Sequence, residues 1–453
     1  MIKKHPIIAI ATPPGNGGVG IIRISGENLL SLVEQVVGKP IKPRTAELFD
    51  LLDAKGVCID SALALFFQAP ASFTGEDVLE IHCHGGQAVL RLAQNHLLGL
   101  GKKMNLTLAE PGEFSLRAYL NGKLDLIQAE AIADLILAQS DAAVRGAARS
   151  LKGEFSVKVD DLVSLITKLR VLVESTLDFP EEEIDFLENA QARGQMKTIT
   201  AKLEELLAHA KQGRLIRDGA SLVLVGAPNV GKSSLLNCLA GEELAIVTPV
   251  AGTTRDRIKE LILIDDIPIH VIDTAGLRET RDEIERMGIE RTWDSIKNAD
   301  IVMLIDAAGV WGENKTKEQI QALIKPSVPV IRVFNKMDLL SADDLQNKEQ
   351  NTVYVSATNK LGIDQLKAAI LAGIGKHPGQ EGSFMARRRH VEALLTAQAH
   401  LKRAEQLSLD GNQSLELFAE ELRLAQDALG EITGKLLPDD LLGKIFSEFC
   451  IGK

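Results

Sequence analysis

The string Gly226-Ala227-Pro228-Asn229-Val230-Gly231-Lys232-Ser233 constrains this chain more than any other feature. It reads G-x-x-x-x-G-K-S, directly after the apolar run Leu222 to Val225 and before a stretch that reads as a helix from about Ser234. A glycine-rich turn between a buried strand and a helix N-terminus aims successive backbone N–H groups at one spot, which is how a polyphosphate is cradled. Lys232 then neutralises the outer phosphates, and the Ser233 hydroxyl is available to magnesium. Such a loop belongs to a parallel sheet. The runs Ile269 to Ile272, Ile301 to Ile305 and Val330 to Phe334 are continuously apolar and separated by helical stretches, so this portion is an α/β layer covered on both faces.

Three companion motifs follow in order: Gly252-Thr253-Thr254, Asp273-Thr274-Ala275-Gly276 and Asn335-Lys336-Met337-Asp338. Asp273 ends an apolar strand, where its carboxylate can hold a magnesium shell through water. The Gly276 N–H can meet a γ-phosphate, and Thr254 is a second hydroxyl ligand once its loop closes. Asp338 decides the base. Its carboxylate accepts from both donors on the Watson–Crick edge of guanine, whereas adenine offers an acceptor there, and the mismatch should discriminate by roughly 10⁴-fold or more. Ser356-Ala357, after the strand Thr352 to Val355, fits a loop backing the base. Alone, each short motif is an ordinary solvated turn. Together they predict a GTP site made from Asn229, Val230, Gly231, Lys232, Ser233, Ser234, Thr248, Thr253, Thr254, Asp273, Thr274, Ala275, Gly276, Asn335, Lys336, Asp338, Ser356 and Ala357.

The hydrolytic step is less ordinary. Leu277 stands where a Ras-type switch carries a water-orienting glutamine, and an apolar side chain cannot orient water. Glu285, in the charged stretch Asp282, Glu283, Glu285, Arg286, could act through a bridging water. An i,i+4 pair with Arg281 on a wet helix face is the stronger reading from the residues alone. No arginine is clearly poised as a finger, although Arg255 and Arg278 are near. A monovalent cation held by Asn229 and by carbonyls of the Thr248 to Thr253 loop would supply the missing charge; Asn229 as a loop cap is the competing reading.

Around this layer the texture changes. From Met1 to about Arg117 short strands alternate with Gly/Pro turns: Ile7 to Ala11, Ile21 to Ser25, Ala62 to Phe67 and Val78 to His84, with a helix over Gln87 to Leu98. From about Tyr119 to Ala210 helical spacing takes over, with Leu162, Leu165, Ile166, Leu169 and Val173 on one face until Phe179-Pro180 and three glutamates break it. Past Gly375, Leu415, Phe418, Leu422, Ala425 and Leu429 form another one-sided stripe. Short helical pieces rarely bury a core alone, so the economical arrangement is an α/β domain inserted into one helical domain; two separate bundles are the alternative. The expected fold is α+β multidomain, with boundaries at 1–118, 119–213, 214–378 and 379–453.

Composition narrows the function. A net charge of -11 makes the 453-residue chain a poor non-specific binder of phosphate backbones, so any RNA contact needs a local basic patch or a partner's surface. Arg387-Arg388-Arg389-His390 is the conspicuous basic cluster and reads as a solvated patch on the hinge side. Four cysteines are no disulfide framework and suggest a reducing cytoplasm. No run approaches 18 apolar residues, so no membrane span is expected. Lys3-Lys4 and Ile7 to Ala11 resemble a leader, but Pro13 and Pro14 cut the apolar run short. Gly15 to Gly20 fits G-x-G-x-x-G yet leads into a strand, so it reads as a hairpin loop and not a dinucleotide site. His82-Cys83-His84 has no second cluster to complete a zinc site, and strand-end histidines are the better reading.

Taken together, the sequence resembles the tRNA modification GTPase MnmE (TrmE) family over nearly its whole length. The resemblance rests on Ala11-Thr12-Pro13, on Gly20 through Gly26, on Phe73-Thr74-Gly75-Glu76-Asp77-Val78-Leu79-Glu80, and on Pro111-Gly112-Glu113-Phe114. It continues through Leu124-Asp125-Leu126-Ile127-Gln128-Ala129-Glu130 and the nucleotide motifs to the terminal Cys450-Ile451-Gly452-Lys453. It implies an N-terminal α+β domain that dimerises and binds a 5-formyltetrahydrofolate-type one-carbon donor through Arg23, Glu80, Lys123 and Lys453. Glu80 would accept from the pterin amine, and Arg23 and the lysines would suit the anionic tail. It implies a Ras-like G domain inserted in a helical domain, with magnesium on Ser233 and Thr254 and potassium on Asn229, Thr248, Val250 and Thr253. Glu285 becomes the catalytic glutamate, and Cys450 part of a motif needed for modification, as a nucleophile or as a packed helix-end thiol. An FAD-binding partner, MnmG (GidA), in a heterotetramer, would share in adding an aminomethyl or carboxymethylaminomethyl group at position 5 of tRNA wobble uridine.

A different class of function competes: a regulatory GTPase switch docking on ribosomes or RNA during assembly. It would call for an RNA-binding module or basic tail, and it leaves the terminal Cys450 to Lys453 motif without a task.

Overall fold

The computed structural model describes residues 5–178, 190–227, 229–240, 260–273, 299–307, 324, 326, 328–340, 352–375, 384–408, 414–435, 439–447, 449 and 451–452. Its N-terminal part holds β1 (Ile7–Ile10), β2 (Gly17–Gly26), α1 (Leu30–Val37), β3 (Glu47–Leu52), β4 (Cys58–Phe67), β5 (Asp77–Gly85), α2 (Gln87–Leu100) and β6 (Thr107–Leu108). The strands form one sheet, ordered β3-β4-β5-β2-β1-β6, antiparallel but for the short β1–β6 pair. Because side chains alternate across a strand, Ile22, Ile24, Leu79, Ile81, Ala64 and Phe66 face α1 and α2 in one core. The intervening residues, Arg23 on β2 and Glu80 and His82 on β5, take the opposite face. The glycine-rich stretch is only partly the expected loop, since β2 already begins at Gly17. In this part the sequence did not mark α1, β3 or β6; Glu47 to Leu52 is short and carries two acidic residues, Glu47 and Asp50, a weak strand signal.

Helices follow: α3 (Glu113–Leu120), α4 (Leu126–Leu137), α5 (Asp141–Leu151), α6 (Glu154–Asp178) and α7 (Ala190–Asp218). Helix α6 is described as far as Asp178, and Phe179-Pro180 with the three glutamates lie outside the described residues. The nucleotide layer comprises β7 (Ala220–Gly226), α8 (Lys232–Ala240), β8 (Glu260–Ile264), β9 (Ile267–Asp273), β10 (Ile301–Ala307), β11 (Val330–Asn335), β12 (Thr352–Tyr354) and α9 (Ile363–Gly373). Its sheet runs β12-β11-β10-β7-β9-β8. All pairs are parallel except β8–β9, a hairpin that the expectation of a parallel sheet omitted. Its turn is Asp265-Asp266, both with positive φ (47° and 64°), the backbone that lets a two-residue connection follow the strand twist.

The chain closes with α10 (Arg388–Leu407), α11 (Leu415–Thr433) and α12 (Asp439–Ser447). Two compact units result: one of Met1–Ala133, Leu151–Glu183 and Gln413–Lys453, the other of Asp134–Ser150 and Ile184–Asn412. Inside the first, α6 packs on α11. Leu162, Ile166, Leu169 and Val173 are buried on one helix and Phe418, Leu422, Ala425 and Leu429 on the other, as the stripes require. Arg170 Nη1 donates to Gln426 Oε1 across that seam at 2.9 Å. Inside the second, α7 packs on α10. Each pair joins a helix from before the nucleotide layer to one from after it, which is the arrangement an inserted domain produces.

The basic cluster at the start of α10 is not the solvated patch that composition suggested. Arg387 donates to the buried Asp134 carboxylate at 2.9 Å, and His390 Nδ1 accepts from the Arg387 backbone N–H, capping the helix. Arg388 alone has the expected wet surroundings, paired with Glu392 one turn on. Periodicity cannot reveal that a guanidinium will meet a carboxylate some 250 residues away in sequence.

Candidate functional site

The phosphate loop starts where β7 stops, at Gly226, between β9 and β10 in the sheet. Helix α8 begins at Lys232, two residues earlier than expected, so its free N–H groups open directly onto the loop. Gly231 has φ +90°, and a Cβ there would lie 2.3 Å from Asn335 Nδ2. Only glycine meets both conditions. Lys232 folds back over its own loop, its Nζ donating to the carbonyls of Gly226 at 2.7 Å and Ala227 at 3.1 Å. Asn229 and Ser233 are exposed, and Val230 is buried in the sheet core.

One side chain ties this loop to Lys336 and to the Ser356-Ala357 loop. Asn335, the last residue of β11, is buried. Its Nδ2 donates to the Val230 carbonyl at 2.9 Å, while its Oδ1 accepts from the backbone N–H of Lys336 at 2.8 Å and of Ala357 at 3.2 Å. Lys336 takes a left-handed backbone (φ 63°) and donates from Nζ to the Asn229 carbonyl at 2.9 Å. The Met337 N–H donates to the Val355 carbonyl at 3.0 Å, so the turn bearing exposed Asp338 is held beside Ser356-Ala357. The buried Ser356 shapes that loop by accepting from the Asn359 N–H and exchanging backbone bonds with Leu361. Asn335 was expected as one residue of a motif; its work as the clamp between three loops needed coordinates.

Asp273 ends β9, in register with Leu224 of β7, at the phosphate end of the sheet. Thr248, Val250, Thr253, Thr254, Thr274, Ala275, Gly276 and Glu285 lie outside the described residues, as do Cys450 and Lys453.

The N-terminal candidates form a second constellation. Arg23 and Glu80 face one another across β2 and β5. The guanidinium reaches Glu80 Oε1 from both Nε and Nη2 at 2.8 Å. It also lies 5.7 Å from the ring centre of Phe73 and 5.8 Å from that of Phe114, within cation–π range of both. Glu80 Oε2 is 3.6 Å from His82 Nε2. Arg23 and Glu80 are therefore one paired group, whereas the sequence had suggested a separate partner for each. Lys123 donates from Nζ to the Pro70 carbonyl at 3.1 Å, with its stem against Gly75. Gly452, near the end of the chain, also arrives here. Arg23 Nη1 donates to the Gly452 carbonyl at 3.3 Å, and Gly452 (φ +92°) lies so close that a Cβ would be 2.7 Å from the Ile10 carbonyl oxygen. Phe73 and Phe114 stood inside quoted motifs, yet nothing in the sequence marked their rings as neighbours of Arg23.

The two histidines of β5 have separate surroundings, His82 beside Glu80 and His84 beside Asp60. His84 Nδ1 pairs with Asp60 Oδ1 at 2.7 Å, Cys83 is buried between them, and burial with the Asp60 charge pushes its thiol up to about 12. Among the described residues no group of three or more His, Cys, Asp or Glu is placed to hold a metal ion, and no helix is long and apolar enough to cross a membrane.

Comparison with known proteins covers the entire chain. The family pattern described as the GTP-binding protein TrmE N-terminus matches residues 6–123, and that of the MnmE helical domain matches residues 126–450. A tRNA modification GTPase MnmE from Polynucleobacter asymbioticus is 57% identical over 456 residues, covering 100% of both chains. The protein of the same name from Cupriavidus metallidurans is 51% identical, again over 100% of both, and that from Ralstonia nicotianae 53% identical over 100% of this chain and 97% of the relative. With two family patterns spanning both the sheet that holds Arg23 and Glu80 and the layer that holds Lys232 and Asn335, the chain belongs to the tRNA modification GTPase MnmE family.

Proposed function

We propose that this protein hydrolyses GTP as one subunit of a machine that modifies position 5 of tRNA wobble uridine, using a tetrahydrofolate one-carbon donor held by its N-terminal sheet. The observation that carries the nucleotide half is the Asn335 clamp. It fixes the phosphate loop, the Asp338 turn and the Ser356-Ala357 loop in one hydrogen-bonded unit, so phosphate position and base identity are read together. In this reading Asp338 accepts from guanine, Lys232 leaves the Gly226 and Ala227 carbonyls for the outer phosphates, and backbone N–H groups at the start of α8 hold them.

Two cations belong to the proposal. Ser233, exposed at the second position of α8, offers a hydroxyl suited to magnesium with Thr254. Asn229, exposed on a left-handed backbone beside the loop, offers a neutral oxygen of the kind a monovalent ion accepts, and Thr248, Val250 and Thr253 would complete the set. Potassium there would supply the positive charge that other GTPases take from an arginine. Glu285 orients the attacking water in place of the missing glutamine.

For the donor, Arg23 and Glu80 form a half-buried charged pair beside two aromatic rings, a setting that suits the polar edge of a fused aromatic ring system. The C-terminal residues approach the same pair through Gly452, which is where a reactive Cys450 would be wanted. The FAD-binding partner MnmG, homodimerisation through the N-terminal domain, tRNA binding borne largely by the partner, and a cytoplasmic setting complete the reading.

The test is hydrolysis in potassium against sodium, with Glu285→Ala alongside. The proposal expects a strong slowing in sodium and loss of hydrolysis with GTP binding retained in the variant. Equal rates in both salts sink the cation, and an active variant removes Glu285.

A further inference from the structure

The segment from Pro70 to Asp77 is nailed down by side chains that none of the roles above uses. Arg117, on α3, has only 3% of its side chain exposed. Its Nη1 donates to Glu76 Oε1 at 3.2 Å and Oε2 at 3.1 Å, and its Nη2 donates to Glu113 Oε1 at 2.7 Å and the His5 carbonyl at 3.0 Å. Glu76 Oε2 also accepts from the Ser25 hydroxyl at 2.8 Å, and Ser25 Oγ lies 2.7 Å from Thr74 Oγ1. Asn121 Nδ2 donates to the Thr74 carbonyl at 2.7 Å, and Asp77 accepts from the Ala69 and Leu29 N–H groups.

This segment touches three of the residues assigned to the donor. Phe73 lies beside the Arg23 guanidinium. Pro70 and Gly75 hold Lys123 through its Nζ and its stem. Asp77 begins the strand that carries Glu80. A guanidinium buried between two carboxylates is a weak source of net stability, since well-packed apolar residues often serve as well. What it supplies that they cannot is direction: a planar fork fixes the carboxylate it grips in angle as well as distance.

We propose that Arg117 is the positioning residue of the donor site, setting the Pro70 to Asp77 segment so that Phe73, Lys123 and Glu80 meet the ligand in register. The inference rests on the donor reading above and names the device that pre-organises it. Arg117 acts through Glu76 and does not touch the ligand.

The test uses the full chain and 5-formyltetrahydrofolate, with affinity by calorimetry, melting temperature, and GTP hydrolysis as a control in the same molecule. Arg117→Met with Glu76→Gln and Glu113→Gln removes the network's charge without stranding any of it, so the melting temperature should stay near that of the wild type. Donor affinity should still fall by about tenfold or more, with hydrolysis unchanged. Arg117→Lys, which keeps the charge and loses the fork, should weaken the donor in the same direction. Wild-type affinity in the triple variant at matched stability overturns the inference and leaves Arg117 a purely structural residue. Should the triple variant not fold, Ser25→Ala decides: removing the hydroxyl that bonds Glu76 and Thr74 should weaken binding by about 3-fold, and an unchanged affinity overturns the inference. A wild-type chain that binds no folate overturns the donor reading itself, a result distinct from either.

Discussion

The two constellations are built by opposite means. The nucleotide loop is made of backbone: N–H groups at the start of α8, carbonyls gripped by Lys232 and Lys336, and a single buried side chain, Asn335, to join three loops. The N-terminal site is made of side chains brought from far apart. Arg23 meets Glu80 57 residues away, Arg117 meets Glu76 41 away, and Gly452 lies 429 residues from Arg23. A backbone site can be written in one short string, because consecutive residues supply it. A side-chain site can be written only across the fold, so its parts look like surface charges until strands are paired.

That contrast predicts independence: damage to one site should leave the other intact. Asp338→Asn should give the largest effect. An amide offers one acceptor and one donor, so guanine is disfavoured by roughly 10⁴-fold while xanthine, which presents an N–H beside a carbonyl, becomes the matching base. Comparing kcat/KM for guanosine and xanthosine triphosphates checks this, and unchanged guanine preference would remove Asp338 from base reading. Asn335→Ala comes next. Three hydrogen bonds at about 1 kcal/mol each predict GTP binding weaker by about 100-fold, with folate binding untouched; a loss at both sites would break the comparison.

Arg23→Ala should act in the other direction, weakening 5-formyltetrahydrofolate by about tenfold through loss of a half-buried, charge-assisted pair, while GTP hydrolysis in potassium stays at the wild-type rate. The smallest effect concerns thiols. Exposed Cys58 should react with a thiol reagent at pH 8 well before buried Cys83, read by mass of the labelled peptides. The folded state raises the Cys83 thiol from 9.0 to about 12, so it favours the protonated form. Its contribution to stability is therefore intact below pH 9 and is lost as pH rises from 9.0 to about 12. Cys83→Ala should flatten that part of the stability curve.

Much of the fold was legible because its signals are local. The apolar runs at Leu222, Ile269, Ile301 and Val330 became the parallel strands, and the stripes on α6 and α11 became the faces of one helix pair. What stayed hidden depended on distant partners or on turn chemistry. Strand β8 was missed although Asp265-Asp266 carried its hairpin turn, and α8 starts before Ser234 because Lys232 already has helical backbone. Arg387 and His390 looked like solvent residues because only the fold brings Asp134 to one and the helix cap to the other. The pairing of Arg23 with Glu80 was invisible for the same reason.

The most direct measurement is of wobble-uridine nucleosides in total tRNA from cells lacking this protein, by liquid chromatography and mass spectrometry. The account predicts loss of the 5-aminomethyl-type nucleosides, restored by the wild-type gene and not by Lys232→Ala or by Arg23→Ala, so that each site is needed though neither depends on the other. An unchanged nucleoside profile would contradict it and point to a GTPase whose target lies elsewhere, on the ribosome first.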